Sequence, residues 1–209
     1  PVYKNVAFVV PGDSTVRISE PFMAALFNDV ASECQKRGYN LFYTNANNSA
    51  DLPDMIRQHN TDAVIWMSEV ERGILEYAYA NKIPSIVYGS RFDTFTCIEL
   101  DHSTGSRLAV QHLIKAGHRR IAYINGIPHY LSSIERLKGY QKTLSEAGLP
   151  LIQDYVGCGN WSYEGGIEAM NLLLELPEPP TAVFAANDMM AIGAAKAVRE
   201  RGLSVPDDI

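Results

Sequence analysis

Gly117-His118-Arg119-Arg120-Ile121-Ala122-Tyr123-Ile124-Asn125-Gly126 is the stretch on which the fold turns. Its apolar run, Ile121 to Ile124, has the length and composition of a strand, and both flanks have helical periodicity. Before it, Leu108-Ala109-Val110 with Leu113-Ile114 predict a helix that ends at Gly117. After it, a helix is predicted from about Ser132 to Ala147, stopped by Gly148, with Ser132-x-x-Glu135 spaced as a capping box. Moving outward, Ala182 to Ala186 is a second apolar run, followed by a helix from Met189 to Arg201 and a stop at Gly202. The same unit occurs towards the N-terminus. Val6 to Val10 has the pattern of a strand buried on both faces of a parallel sheet. Phe22, Leu26, Val30 and Cys34 then recur every four residues beside Met23, Phe27 and Ala31, with Ser19 as N-cap and Gly38 as stop. Strands at Leu41–Tyr43, Ala63–Met67 and Ile83–Tyr88 enclose a further helix at Ile74–Ala80. Strands alternating with helices imply βαβ crossovers, hence an α/β fold on parallel sheets.

Composition bounds the function. The chain has 209 residues, 46% hydrophobic and 20% charged, which excludes intrinsic disorder. No apolar run approaches the ~20 residues that span a bilayer, so no membrane partner is expected, and no basic-then-apolar leader opens the chain. Pro1 leads almost directly into a strand, so residues upstream are expected to be missing. A net charge of −6, with His118-Arg119-Arg120 the longest basic cluster, offers little to a phosphate backbone; direct DNA binding by these residues is not expected. Cys34, Cys97 and Cys158 are far apart and odd in number, which suits a reducing compartment, and a cytoplasmic location is expected.

In open α/β sheets ligands sit beyond the carboxyl ends of the strands. The loops to inspect are therefore Pro11–Pro21, Thr44–Asn48, Ser68–Val70, Gly89–Phe92, Gly126–Ser133 and Asn187-Asp188. Enzyme motifs are absent from them. There is no phosphate-binding G-x-x-x-x-G-K-[ST] and no G-x-S-x-G nucleophile elbow. Gly157-Cys158-Gly159-Asn160-Trp161-Ser162 lacks the third glycine of a dinucleotide fingerprint and has no strong strand before it. His59, His102, His112, His118 and His129 show no metal-ligand spacing. No catalytic residue, metal or cofactor is expected.

What remains suggests binding. The capping-box reading puts Arg136 in the first helical turn, where the dipole disfavours a cation unless its paired donors meet a polar ligand; a surface ion pair to Glu135 is the equal alternative. Asn187-Asp188 opens a helix after a strand, so one of the two should cap, yet the pair also suits sugar hydroxyls. Trp161 offers a flat apolar face from a glycine-rich loop, with core packing as its alternative. Asp13, Ser14 and Arg17 lie in the first strand-to-helix loop; Phe22 starts the helix and defaults to core; Arg91 follows a strand end. Were Arg17, Arg91 and Arg136 to converge, an acidic ligand would follow.

At these residues the sequence resembles the effector-binding domain of the LacI/GalR family of bacterial transcription regulators. The likeness is carried by Ser19-Glu20-Pro21-Phe22-Met23, Asp101 through Leu113, Gly117 to Gly126, Arg136-Leu137-Lys138-Gly139-Tyr140, Thr181 to Ala194 and Val205-Pro206-Asp207-Asp208-Ile209. The resemblance implies two similar parallel-sheet, Rossmann-like subdomains of the periplasmic-binding-protein type, residues 1–100 and 101–209, the second incomplete in this chain. It also implies a small sugar-like effector in the cleft between them, operator DNA bound through a helix-turn-helix outside these residues, and a homodimer. Arg136, Asn187, Asp188 and Trp161 match the family's effector-proximal positions. A periplasmic sugar-binding protein of a transport system is the alternative.

Overall fold

The computed structural model describes residues 3–12, 21–67 and 70–209. The chain divides into two compact units, Pro1–Leu100 and Asp101–Ile209.

The first unit runs β1 (Asn5–Pro11), α1 (Pro21–Lys36), β2 (Asn40–Ala46), α2 (Asp54–Arg57), β3 (Ala63–Trp66), α3 (Arg72–Ala80), β4 (Ser85–Tyr88) and β5 (Thr96–Ile98). The five strands are parallel, in the order β2-β1-β3-β4-β5. The period of two along β1 separates two cores. Ala7 and Val9 pack with Trp66, Ile74 and Ala78, whereas Phe8 and Val10 pack with Met23, Leu26 and Phe27 of α1. Continuous burial of β1 on both faces is what its unbroken apolar sequence encodes.

The second unit runs α4 (His102–Lys115), β6 (Ile121–Asn125), α5 (Leu131–Glu146), β7 (Val156–Cys158), α6 (Tyr163–Leu174), β8 (Ala182–Ala185) and α7 (Asp188–Glu200). Its strands are also parallel, in the order β7-β6-β8. The central strand β6 thus stands to β7 and β8 as β1 stands to β2 and β3, the same three-strand arrangement in each unit. Tyr123 of β6 lies between the rings of Tyr140 (α5) and Phe184 (β8), 5.2 Å from each. The Tyr140 hydroxyl donates to the Ile121 carbonyl at 2.8 Å. Burial pushes both tyrosine hydroxyls far above their ordinary pKa, so they remain protonated donors.

Two expectations are corrected here. Ser132-x-x-Glu135 is no capping box: the N-cap is Tyr130, without a side-chain cap, and Ser132 already lies inside the helix. Tyr130 is buried, and its carbonyl accepts from the Ser133 and Ile134 amides, so core packing rather than a hydroxyl sets the helix start. A strand, β7, does lead into Gly159; with three residues, one of them glycine, it has too little apolar sequence to stand out. The helices end as expected at Gly38 and Gly117, whose φ of +75° and +99° is the left-handed conformation glycine adopts without a Cβ penalty.

Candidate ligand-binding site

Because β6, β7 and β8 are parallel, the loops that follow them emerge at one edge of the sheet. The loop after β6 leads into α5 and Arg136; that after β7 carries Trp161; that after β8 carries Asn187 into α7. The structure joins these residues directly. The Arg136 guanidinium carbon lies 5.3 Å from the centre of the Trp161 ring. Asn187 Nδ2 donates to the Trp161 carbonyl at 3.0 Å, while its Oδ1 accepts from the Met190 amide at 2.9 Å as the N-cap of α7. One side chain therefore satisfies a helix end and tethers the loop that follows β7, on the far side of β6. Asp188 is the first residue of α7, exposed, with its carboxylate at the favourable end of the helix dipole.

Trp161 has φ +65° and follows Asn160 at φ +50°. Asparagine tolerates this region; a bulky aromatic there is uncommon and is held by its surroundings. The holders are the Ser162 amide, bonded to the Gly159 carbonyl at 2.9 Å, and the Asn187 tether. Beneath the indole lies Gly126, where a Cβ would come within 2.1 Å of ring atoms Cε2 and Cζ2. Glycine is required there by close approach, not by a turn.

Arg136 is the sixth residue of α5, not a member of its first turn, and lies beyond the reach of the N-terminal end of the helix dipole. Its position follows instead from packing: its carbonyl accepts from the Ser106 hydroxyl at 2.7 Å, where Gly139 lets α4 and α5 approach, and its side chain lies over an indole. A cation over an indole is worth about 0.5–2 kcal/mol depending on desolvation. The half-buried guanidinium is planar and lies over a π face, on the same sheet edge as the Asn187-Asp188 helix start. Residues of these types have the donors and the flat apolar face that suit ligands with hydroxyl, carboxylate or planar polar groups. Among the described residues no cluster of three or more His, Cys, Asp and Glu could hold a metal.

In the first unit, Asp13, Ser14, Arg17 and the expected cap Ser19 lie outside the described residues. Phe22 is not core: it is 56% exposed, its ring 6.4 Å from that of Tyr88 at the end of β4. The buried stripe of α1 is carried by Met23, Leu26, Phe27 and Val30, and Phe22 falls just outside it. Arg91 is paired with Glu99, Nε to Oε2 at 2.6 Å. Sequence reasoning missed Asn125, Gly126 and Cys158; the Cys158 thiol donates to the Gly126 carbonyl at 3.2 Å. The signal available for the first two was their place immediately after the β6 apolar run.

Replacing Asn187 with alanine removes both the cap and the tether. Loss of about 1–2 kcal/mol of stability is expected in urea denaturation, a cap alone being worth ~1 kcal/mol.

A family model described as periplasmic binding proteins and sugar binding domain of LacI family matches residues 4–209. The chain is 38% identical over 196 residues to the HTH-type transcriptional repressor PurR of Actinobacillus pleuropneumoniae serotype 3 (strain JL03), covering 90% of this chain and 58% of the repressor. It is 32% identical over 214 residues to catabolite control protein A of Priestia megaterium, covering 98% of this chain and 63% of that protein. Among solved structures, a regulatory protein of LacI family from Chloroflexus aggregans matches with a TM-score of 0.85 and 27% identity, over 99% of this chain and 76% of that one. The chain thus spans less than two thirds of the length of either of the first two relatives. No helix among the described residues is long and apolar enough to cross a membrane.

Proposed function

Because the chain belongs to the family of periplasmic binding proteins and LacI-type sugar-binding domains, we propose that it is the effector-sensing part of a bacterial transcription regulator, taking a small metabolite, a sugar or sugar derivative, at Arg136, Trp161, Asn187 and Asp188. The observation that carries this reading is the meeting of the three strand-end loops of the second unit, with Arg136 over Trp161 and Asn187 bonded to the Trp161 backbone. Asp13, Ser14, Arg17, Phe22 and Arg91 of the first unit complete the proposed set. Of these, Phe22 is supported by its exposure beside Tyr88, the last residue of β4. The Arg91 pairing with Glu99 gives it an alternative structural role, so it is the weakest member. The family also includes periplasmic binding proteins, but relatives named as transcriptional repressors favour regulation over transport. Operator DNA would be bound by a helix-turn-helix outside these residues, in a cytoplasmic homodimer.

Ligand can change DNA affinity only through a difference in its own affinity for two conformations. Coupling free energies of about 1–3 kcal/mol, or roughly 5–150-fold in affinity, are typical. With the regulator that contains this chain, fluorescence anisotropy on operator DNA should show a change of that order on adding saturating effector. An operator affinity indifferent to a ligand shown to bind would refute the sensing role.

A further inference from the structure

We infer that Asn125, the last residue of β6, is a positioning residue for the Arg136–Trp161 pair, acting through Gly126. Asn125 is 5% exposed. Its Oδ1 accepts twice, from the Tyr123 hydroxyl at 2.9 Å and from the Gly126 amide at 2.9 Å. Its backbone carbonyl accepts from the Gly159 amide at 2.8 Å, two residues before Trp161. The side chain thus fixes the loop after β6, and the main chain fixes the start of the loop after β7. Gly126 is the surface under the indole, as the 2.1 Å approach of an added Cβ shows, and the indole in turn lies under the Arg136 guanidinium.

The far end of this chain of contacts is rigid. Tyr123 is wedged between Tyr140 and Phe184, and burial keeps its hydroxyl protonated, so the donor to Asn125 persists across the ordinary pH range. A side chain without an acceptor at position 125 orphans two buried donors, the hydroxyl and the Gly126 amide. The amide can then be satisfied only if the Gly126 peptide moves, which takes the support from under Trp161. That the pair so positioned binds effector rests on the function proposed above; its positioning does not.

The test reads Trp161 without any ligand, by acrylamide quenching of tryptophan emission in the whole chain. Trp66 is fully buried and shielded, so the quenchable emission comes from Trp161, and Trp161→Phe verifies that assignment. Asn125→Leu is expected to raise the quenching constant and shift emission to the red. Asn125→Asp, which keeps a two-donor acceptor, is expected to hold both at wild-type values, a rescue that a merely space-filling role would not give. If Asn125→Leu does not fold, Asn125→Ser carries the test, since its shorter hydroxyl cannot reach both donors; the same rise is expected. Unchanged quenching in the folded Leu or Ser variant, or an Asp variant that behaves like them, overturns the inference. A blank ligand screen would defeat the effector reading and leave this result standing.

Discussion

Alanine at Gly166 or at Gly193 is expected to destabilise the second unit by about 1–2 kcal/mol, against the usual sign for such a change. Glycine within a helix ordinarily costs roughly 0.5–1 kcal/mol relative to alanine, so the default expectation is a gain. Packing reverses it. A Cβ on Gly166 of α6 would lie 2.3 Å from the Met190 carbonyl oxygen and 2.7 Å from its Cα; one on Gly193 of α7 would lie 2.1 Å from the Tyr163 carbonyl oxygen. These are backbone atoms of the facing helix and cannot swing aside. The helices must separate, loosening the buried layer of Ala169, Met170, Ala194 and Ala197 beneath them. Overpacking typically costs about 1–3 kcal/mol and sometimes more, which exceeds the propensity gain. Urea denaturation followed by circular dichroism should show a clearly lower midpoint for either variant; an unchanged or higher midpoint would show that α6 and α7 do not cross this closely.

Trp66→Ala is expected to cost the first unit about 3–5 kcal/mol, the range for emptying a large buried aromatic site. Trp66 is fully buried at the end of β3, in one cluster with Ile74, Leu75, Ala78 and Val87. Its indole N–H donates to Ser85 Oγ at 2.8 Å, and that hydroxyl donates to the Ile83 carbonyl at 2.9 Å. Ser85→Ala separates the two contributions. It leaves the volume filled but orphans the indole N–H, for an expected loss of about 1–3 kcal/mol. Denaturation read by circular dichroism, since the substitution removes a fluorophore, should rank Trp66→Ala below Ser85→Ala and both below wild type. Equal midpoints for the wild type and Trp66→Ala would mean that this cluster does not hold the unit together.

The fold was legible where burial is two-sided. The runs at Val6–Val10, Ala63–Met67, Ile121–Ile124 and Ala182–Ala186 are long and apolar because the strands they form are covered on both faces, and each appears as a strand. What escaped was structure decided by tertiary contact. Tyr163–Leu174 is a helix that the sequence signals weakly, since Gly165-Gly166 lowers its intrinsic propensity; in the structure those glycines let α6 approach the backbone of Gly159 and of Met190. β5 and β7 are three residues each, too short to carry a period. Phe22 was assigned to the core because it keeps the four-residue recurrence of α1, and a recurrence does not show where a buried stripe stops.

The site divides in the same way. That Arg136, Trp161 and Asn187 come together was legible from their places in or beyond the loops at the carboxyl ends of parallel strands. Arg136 is placed by neither a capping box nor the helix dipole, but by the packing of α5 on α4. The place of Asn125 and Gly126 after the β6 apolar run was legible, but their contacts were not, because these depend on an indole thirty-odd residues later in the sequence folding back over them.

The proposed function requires a small effector held by Arg136 and Trp161. A thermal-shift screen of sugars, sugar phosphates, sugar acids and purines tests it most directly. A ligand at ~100 times its Kd stabilises a protein by about 2.7 kcal/mol, enough to move the melting midpoint by several degrees in a chain of this size. A hit of that size is expected with the wild type, lost in Arg136→Ala and in Trp161→Ala while both variants remain folded. A hit that shifts Arg136→Ala as far as the wild type would contradict it.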